Sequence, residues 1–306
     1  MIPTSDRSLT KQRLKQLIRR TIGEPYVGKR LKLRNLNRAV RALELDPRSI
    51  LDAGAEDATF VYWLADLYPR ASVTAVDIDA DAMTVSERAC PGRYASRVSF
   101  AARSFDALPS ATFDLIAAFD VLEHIADDEG AVRQLARALR PSGTLLVHVP
   151  RDVWTHFDGR EERVPDEEAW RINEGHVRMG YSPERLAEIV RAAGCEVIDM
   201  QLWLRRWGVA AHAAYSRVES IMPLRLATLP VTDLAAAFDR RRPAAEGNTV
   251  FLVARKPPFL PSSGSLCPRC HAQWTTGTDP CLYCGHRAPF ETRGWWKSVR
   301  AQARRS

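Results

Sequence analysis

From residue 49 onward, short apolar runs alternate with helical segments, and this alternation constrains the fold more than any other feature. Runs such as "SILDAG", "SVTAVDID" and "TLLVHVP" have the length and composition of buried strands. "ATFVYWLADLYP" and "DEGAVRQLARALR" have helical patterns. Strands alternating with helices predict an α/β fold, in which helices cover both faces of a doubly wound parallel sheet. With "RVSFAARS", "FDLIAAFDVL", "CEVIDMQLW" and "NTVFLVARKP", the sheet should have seven strands.

The pattern changes at both ends of this region, and these changes divide the chain of 306 residues into five predicted segments. A Pro- and Ser-rich stretch marks the end of the sheet domain and predicts a linker. The segments are a basic helical N-terminal extension (1–48), the α/β domain (49–256), the linker (257–265), a cysteine-containing module (266–290) and a basic tail (291–306).

Positive charge is concentrated at the two ends of the chain. The net charge of +7 divides into +10 for residues 1–41, +5 for residues 286–306 and about −8 for the segment between them. These ends could bind an anionic partner, such as nucleic acid, a phospholipid surface or a phosphorylated glycan, or they could be solvated helix faces. No apolar run approaches the ~20 residues of a transmembrane helix. Without a signal-peptide pattern at its N-terminus, the chain is expected to be cytoplasmic.

The stretch "LDAGAEDA", residues 51–58, follows the first predicted strand, where doubly wound sheets bind nucleotide-containing cofactors. A dinucleotide would place its pyrophosphate on this loop, where Asp52, Glu56 and Asp57 would repel it. S-adenosylmethionine carries no phosphate and has a positively charged sulfonium and ammonium. Asp77, at the end of the second strand, is placed to bind both ribose hydroxyls. The charges therefore favour S-adenosylmethionine over NAD.

Six motifs in order resemble the class I S-adenosylmethionine-dependent methyltransferases over residues 49–256. They are "ILDAGAEDA", "AVDID", "SFAARSFDALP", "FDVLEHI", "LRPSGTLLVHVP" and "GHVRMGYSPERLAEIVRAAGCEV". The last of these resembles a subgroup that includes quinone-biosynthesis and glycan-cluster methyltransferases. The resemblance implies a Rossmann-like methyltransferase fold and S-adenosylmethionine as the cofactor.

By this resemblance, the cofactor site would be formed by residues that follow the first four strands. Asp52, Gly54 and Ala55 would border the methionine part, Asp77 the ribose and Ile78 the adenine. Ser104 stands where the family has an acid near the adenine amino group, so Asp106 is an alternative residue for that contact. Phe105 could stack nearby. Asp120 would lie near the sulfonium.

The chain departs from the family's three-glycine loop at two positions. Glu56 and Ala58 stand where the second and third glycines would be. Ala58 should be a mild change if its φ stays negative. A positive φ at Glu56 would cost roughly 1–2 kcal/mol. The Glu56 carboxylate could turn toward the cofactor ammonium, face the solvent or block the pocket.

His124 and His176 are the candidate catalytic residues. His124 lies four residues after Asp120, and His176 lies in the long insert after the fifth strand. Imidazole titrates near neutrality, so either ring could act as a general base toward a hydroxyl acceptor. Each could equally have a structural role, and His148 and His156 are weaker candidates. The insert also mixes aromatic residues with arginines, which suits an anionic or sugar-like acceptor.

"CPRCHAQWTTGTDPCLYC" contains two Cys-x2-Cys pairs separated by ten residues. Four thiolates at this spacing form a tetrahedral metal site, with zinc favoured and iron as the alternative. The ligands would be Cys267, Cys270, Cys281 and Cys284. This segment resembles a rubredoxin-like zinc ribbon, which could be structural or could dock a partner.

The expected function is methyl transfer from S-adenosylmethionine to a small-molecule or glycan acceptor, at oxygen. One alternative is a methyltransferase-like fold that serves as a binding or scaffold protein. Another is nucleic-acid methylation, which the basic ends and the cysteine pairs suggest. The place after the fourth strand reads "FDVLEHI" and lacks the Asn/Asp-Pro-Pro-aromatic motif of many base-amino methyltransferases, which disfavours the nucleic-acid alternative.

Overall fold

A computed structural model describes residues 4–163, 175–218, 220–239 and 246–258 of the chain. The four cysteines of the predicted metal site, the basic tail and most of the linker lie outside these described residues. The predictions made for them therefore remain predictions.

The described residues form the predicted seven-stranded sheet, with a two-stranded hairpin beside it. The strand order is β3-β2-β1-β4-β5-β9-β8. Strands β1 to β5 are parallel, whereas β9 runs antiparallel between β5 and β8. The strands are β1 (Ser49–Ala53), β2 (Ser72–Asp77), β3 (Val98–Ala102), β4 (Phe113–Phe119), β5 (Leu139–Pro150), β6 (Val153–Thr155), β7 (Glu161–Arg163), β8 (Glu196–Trp203) and β9 (Thr249–Arg255), of which β6 and β7 form the hairpin.

Helices cover both faces of the sheet and also its cofactor-binding edge. The helices are α1 (Thr4–Ile22), α2 (Val27–Arg41), α3 (Thr59–Leu67), α4 (Ala80–Arg88), α5 (Asp128–Ala138), α6 (Pro183–Ala192), α7 (Arg206–Ser216) and α8 (Met222–Asp239). None of the helices within these described stretches is long and apolar enough to cross a membrane.

Alternate residues of the central strands enter two separate hydrophobic cores. Ile116 of β4 belongs to the core that contains residues of α5 and α6. Leu115 belongs to the core that contains residues of α2, α3 and α4. Both side chains are fully buried. Because successive strand residues point to opposite faces, a strand covered on both faces must be apolar throughout, as "LIAAF" is.

The ends of α6 follow the sequence signals. The Ser182 hydroxyl accepts a hydrogen bond from the amide of Arg185 at 3.1 Å, and Pro183 occupies the first turn. Gly194 follows the helix with φ at +82°. These local signals fix where the chain turns back toward the sheet.

Helices α2, α7 and α8 pack together through a small third core. Val27 and Leu31 of α2 contact Tyr215 of α7 and Ala236 of α8 within it. The guanidinium of Arg30 also donates two hydrogen bonds of 2.8 Å to an α8 carboxylate. The helices between β8 and β9 thus join the N-terminal helices in one layer.

Candidate active site

A cavity of about 1030 Å³ opens at the carboxyl ends of β1, β2 and β4. The strand order reverses between β1 and β4, which leaves a crevice where doubly wound sheets bind their ligands. Small-molecule sites commonly enclose roughly 300–1,000 Å³. The cavity therefore has room for a cofactor together with an acceptor.

Seven of the eight predicted cofactor residues line this cavity, as do both candidate catalytic histidines. The lining residues are Gly54, Ala55, Asp77, Ile78, Ser104, Phe105, Asp120, His124 and His176. Asp52 does not line it, since its side chain is buried in β1. Burial, followed by the nearby Asp57 and Asp77 carboxylates, raises the pKa of Asp52 well above its usual value. Its surroundings thus favour the neutral form of this carboxyl group, which lies near the end of β1.

The loop after β1 keeps the backbone of a three-glycine loop although only one glycine is present. The φ angles of Gly54, Glu56 and Ala58 are +80°, +40° and +58°. Glu56 therefore has the positive φ that the sequence analysis considered for this residue. Ala58 would have been a mild change only with a negative φ, and that condition is not met. Both side chains occupy a region that costs roughly 1–2 kcal/mol for residues other than glycine.

Gly54 is the position where a side chain is excluded by contact as well as by φ. A Cβ atom there would lie 2.5 Å from Cγ2 of Val121, which follows β4. The amide of Gly54 donates to the carbonyl of Val76 at 2.8 Å. The close approach of the loop to the chain after β4 thus requires glycine at this position.

Glu56 and Asp57 of the loop line the cavity, but basic side chains of α1 and α2 pair with both carboxylates. Asp57 forms ion pairs with Lys15, with Lys29 at 2.9 Å and with Arg19 at 3.3 Å. These three cations outweigh the effect of burial and hold the pKa of Asp57 far below its usual value. Glu56 extends into solvent, with 74% of its side chain exposed, and contacts Lys29 at 2.9 Å. Because Glu56 and Asp57 are paired and Asp52 is buried, these three groups would repel a pyrophosphate less strongly than expected from the sequence.

The cations of α1 and α2 thus bind the cofactor loop from outside. Lys15 and Arg19 come from α1, and Lys29 comes from the first turn of α2. Burial opposes the charged form of Lys29, but Asp57 and Glu56 outweigh it and raise its pKa. For these residues, the interpretation of the basic N-terminal segment as a solvated helix face was wrong.

Asp77 ends β2 at the rim of the cavity, as predicted for a residue that binds the ribose. Its Oδ2 accepts a hydrogen bond from the amide of Glu56, and its Oδ1 accepts one from the amide of Asp79, both at 3.0 Å. These bonds fix the orientation of the carboxylate. Ile78, beside it, is 81% exposed and free to cover a flat ring.

The segment after β3 supplies the residues predicted near the adenine. The hydroxyl of Ser104 donates a hydrogen bond to the carboxylate of Asp106. Asp106, the alternative residue for the adenine amino group, is therefore bonded to Ser104. That hydrogen bond is the main cause of the lowered pKa of Asp106. Phe105 also lines the cavity. A ligand amino group here would meet an ionised carboxylate.

Asp120 lies immediately after β4 in a left-handed conformation, with φ at +53°. Its carboxylate forms an ion pair with Lys32 of α2 and contacts Nδ1 of His148 at 2.6 Å. Burial and the nearby Lys32 charge lower the pKa of His148 well below its usual value. The ring is therefore neutral, and its Nδ1–H donates to Asp120. This network fixes the carboxylate at the cavity wall.

His124 and His176, which are 52 positions apart in sequence, come together with Glu123. The two imidazole rings meet edge to face with centroids 4.6 Å apart. One ligand-type atom from each of the three residues lies within 4.8 Å of the others. Burial raises the pKa of Glu123, although its own amide, Lys32 and Arg178 favour the charged form. We call these three residues the Glu–His–His cluster.

Hydrogen bonds between two segments hold the cluster together. The amide of Val177 donates to the carbonyl of Glu123 at 2.9 Å, and Nδ1 of His124 lies 3.1 Å from the carbonyl of Gly175. The Arg178 guanidinium also donates to the carbonyls of Leu122, Ile125 and Ala126. His176 is therefore fixed against the chain that follows β4.

The sequence interpretation missed two residues of this site. Glu123 lies beside His124 in "FDVLEHI", and an acid within an otherwise apolar stretch was the available signal. Lys32 belongs to the basic N-terminal segment, for which an anionic partner or a solvated face was considered, yet it pairs with Asp120 in the cavity lining. No local sequence pattern indicates this second contact, because the two residues are 88 positions apart.

Comparison with known proteins defines the class of this domain. A family described as a methyltransferase domain matches residues 26–200, which is more than half of the chain. The chain therefore belongs to this methyltransferase-domain family. The family's match begins at residue 26, immediately before α2, so it includes part of the segment predicted as an N-terminal extension. A relative in Mycolicibacterium smegmatis, described as a probable S-adenosylmethionine-dependent methyltransferase, is 32% identical over 153 residues, or 50% of this chain and 53% of that protein.

The chain thus contains a class I S-adenosylmethionine-dependent methyltransferase domain. The chain spans only 33% and 53% of the length of the first two curated relatives that it matches. Two solved structures share the fold. The [4+2]-cyclase SpnF has a TM-score of 0.52 at 22% identity, over 74% of this chain and 82% of its own. Phosphoethanolamine N-methyltransferase 2 of Haemonchus contortus, solved with S-adenosyl-L-methionine, has a TM-score of 0.51 at 17% identity, over 79% and 60%.

The cavity suits S-adenosylmethionine by charge. Within the part of the chain that the structure describes, its lining contains seven carboxylate side chains and two lysines, which favours a cationic ligand without phosphates. Asp77 would hold the ribose, Asp106 the adenine amino group and Asp120 the region of the sulfonium.

Proposed function

We propose that this chain transfers a methyl group from S-adenosylmethionine to an oxygen atom of a small hydroxyl-bearing molecule or glycan. The observation that supports this most directly is the position of the Glu–His–His cluster. It lines the same cavity as the cofactor residues, beyond Asp120. A hydroxyl is a poor nucleophile until it loses its proton, so an O-methyltransferase needs basic groups at this position.

In this proposal, the fixed carboxylates position the two reactants. S-adenosylmethionine supplies a methyl group activated by the adjacent sulfonium. Asp77 orients the ribose, and Asp120, held by Lys32 and His148, defines one wall at the sulfonium. The Glu–His–His cluster faces the acceptor and assists the removal of its proton. Holding both reactants in line accounts for much of the rate gain in such reactions.

The helices α2 and α7 supply the remainder of the acceptor wall. His212 of α7 lines the cavity, and its ring lies 3.8 Å from the position of a Cβ atom at Gly28 of α2. The basic charges of α2 that face the loop are already paired. This wall suits a neutral or sugar-like acceptor better than a polyanion, which supports a glycan or small molecule over nucleic acid.

A scaffold function and RNA methylation are the alternatives that the experiment must separate. The cyclase SpnF shares this fold, and a fold does not determine a reaction. Calorimetry with S-adenosylmethionine should therefore come first, followed by transfer of a radiolabelled methyl group to glycans, quinones, small phenols and RNA. We expect saturable cofactor binding and labelling of a hydroxyl-bearing small molecule or glycan. Absence of binding would leave the scaffold alternative, and labelling of RNA alone would replace the acceptor proposed here.

A matched pair of variants links binding to the assigned site. Asp77→Asn removes one charge at the ribose position and should weaken cofactor binding at least tenfold. Asp199→Asn makes the same change on β8, away from the cavity lining, and should leave it unchanged. Equal affinities in the two variants would remove Asp77 from the cofactor site.

We also propose that Cys267, Cys270, Cys281 and Cys284 bind one zinc ion in a ribbon. The support is their spacing in the sequence, since two Cys-x2-Cys pairs form one tetrahedral thiolate site. Metal analysis of the purified chain should find one zinc per molecule. Replacing Cys267 and Cys270 by Ser together should abolish it. Iron with its visible absorption would instead identify the alternative metal.

A further inference from the structure

We propose that Glu123, His124 and His176 form a binding site for one divalent first-row metal ion inside the acceptor end of the cavity. Two imidazoles and one carboxylate supply three ligands that such ions accept while leaving other coordination positions open. The site is distinct from the cysteine pairs in both residues and ligand chemistry. Its role in catalysis rests on the proposed function, whereas metal binding itself does not.

The carboxylate of Glu123 is the first observation that points to a cation. The residue is 1% exposed, and among the described residues its Oε2 atom has no hydrogen-bond partner. A buried polar atom without a partner is costly, because burial removes the water that would otherwise bind it. A cation bound between Glu123 and the two rings would satisfy this oxygen.

The hydrogen bonds of His124 prepare its other nitrogen for a metal. Nδ1 of His124 lies 3.1 Å from the carbonyl oxygen of Gly175, which has no proton to give. The ring nitrogen must therefore be the donor, which leaves the lone pair on Nε2. Metal-binding histidines usually make such a bond through the nitrogen that does not bind the ion.

The spacing of the three ligand groups fits one ion after a small adjustment. The ligand-type atoms lie within 4.8 Å of one another. Atoms bound to the same ion at ~2.0–2.2 Å are roughly 3–4 Å apart, so the side chains must close by about 1 Å. The hydrogen bonds that hold residues 175–178 against Leu122–Ile125 keep the backbone in place during that movement.

The neighbouring cations do not occupy this position. Lys32 pairs directly with Asp120, and Arg178 donates to backbone carbonyls and to Tyr181. Both contribute only longer-range charge at Glu123. A metal ion is therefore compatible with the ion pairs already present around the cluster.

The ion would act on the acceptor oxygen through its open positions. A hydroxyl bound there loses its proton to water more readily, because the ion stabilises the resulting negative charge. The oxygen lone pair then forms the new bond to carbon, and the carbon–sulfur bond breaks to leave a neutral thioether. A preference for acceptors with two adjacent oxygens, such as a sugar diol or a catechol, follows from two open positions on one ion.

Manganese distinguishes this site from the cysteine pairs, because Mn²⁺ favours oxygen and nitrogen ligands over thiolates. The full chain is freed of loosely bound metal with a chelator and titrated with Mn²⁺. Loss of the electron paramagnetic resonance signal of free Mn²⁺ measures binding. We expect one Mn²⁺ site per chain, which the double variant Cys267→Ser/Cys270→Ser retains.

Matched variants assign the site. Glu123→Gln and His176→Gln should each weaken Mn²⁺ binding at least tenfold. His156→Gln makes the same change at a histidine that pairs with Glu162 on the hairpin, and it should have no effect. Because a variant of a buried residue could fail to fold, the circular dichroism spectrum of the metal-free protein serves as the check and should match that of the wild type in both cluster variants. Should a cluster variant fail this check, the titrations of the wild type and of the other variant decide.

The outcomes separate this inference from the proposed function. If S-adenosylmethionine binds but Mn²⁺ does not, the metal site is refuted and the methyltransferase proposal stands. The same conclusion follows if Mn²⁺ binds equally to the cluster variants and the wild type. If Mn²⁺ binds at the cluster and S-adenosylmethionine does not bind, the proposed function falls and the metal site remains. Methyl transfer at an undiminished rate in the presence of a chelator would refute the role of the ion in catalysis.

Discussion

Replacing Asp57 by Asn should reveal how strongly the N-terminal helices hold the cofactor loop. The Asn side chain keeps an oxygen that can accept the 3.0 Å hydrogen bond from the Thr59 amide. It removes the charge that pairs with Lys15, Arg19 and Lys29. The substitution therefore changes the electrostatics of the loop with little change in shape.

The expected loss of stability follows from the burial of these groups. The side chains are 13–27% exposed, which places the ion pairs between surface and buried examples. Exposed pairs contribute roughly 0–1 kcal/mol, and breaking a buried pair costs about 3–5 kcal/mol. We expect Asp57→Asn to lower the free energy of unfolding by about 2–4 kcal/mol at pH 7. For a domain of this size, that corresponds to roughly 5–15 °C in melting temperature.

The pH dependence of this loss tests its electrostatic origin. The pKa of Asp57 is depressed in the folded protein, so its contribution is complete above the unfolded pKa of about 3.9 and decreases as the pH falls below it. The difference between wild type and variant should thus be about 1 kcal/mol smaller at pH 3 than at pH 7. Urea unfolding followed by circular dichroism at both pH values measures it.

A control and a refuting result complete this experiment. Glu188→Gln removes a helix-surface carboxylate that lies 3.7 Å from Arg185, with both side chains at least half exposed. It should change the free energy of unfolding by less than about 0.5 kcal/mol. If Asp57→Asn behaves like this control at pH 7, or if its effect grows at pH 3, the ion pairs do not stabilise the loop as argued.

Three further substitutions test the remaining parts of the site and the sheet. Gly54→Ala should lower the free energy of unfolding by about 3 kcal/mol, because φ is positive there and the new methyl group would contact Val121. Adding Val121→Ala should recover part of this loss, and additive effects of the two substitutions in urea unfolding would contradict the contact. Glu56→Gly should raise the free energy of unfolding by about 0.5–1 kcal/mol with cofactor affinity unchanged in calorimetry, and a loss of affinity would place the Glu56 carboxylate at the cofactor. Lys256→Met removes the ammonium group that donates to two carbonyls at the end of α5 at 2.8 and 2.9 Å. Thermal unfolding should show a loss of about 2–3 kcal/mol in the free energy of unfolding, and a neutral result would mean that water replaces the lysine.

The fold could be predicted because its signals are local. Each strand is a short apolar run, each helix has its own period, and Ser182 and Gly194 mark helix ends within a few residues. The positions at the ends of β1, β2 and β4 followed from the topology, since parallel strands bring their carboxyl ends to one edge.

The partners of the charged residues could not be predicted in the same way. Lys15 and Asp57 are 42 positions apart, and the pattern of α1 alone is equally compatible with a solvated face. Likewise, the consequence of Ala58 depended on its φ, which tertiary contacts of the loop determine. The Glu–His–His cluster required two segments separated by more than 50 residues to meet, which no spacing rule in the sequence expresses.

Strand β9 runs from the cavity edge of the sheet to the opposite edge. Thr249 pairs with Pro150 near the cavity, whereas Arg255 pairs with Thr144 at the far edge of the sheet. The chain therefore leaves the domain on the side opposite the cofactor, after every strand of the sheet has been paired. Truncation after residue 258 would remove no strand of this sheet, and a domain fused there would begin at the edge opposite the cavity.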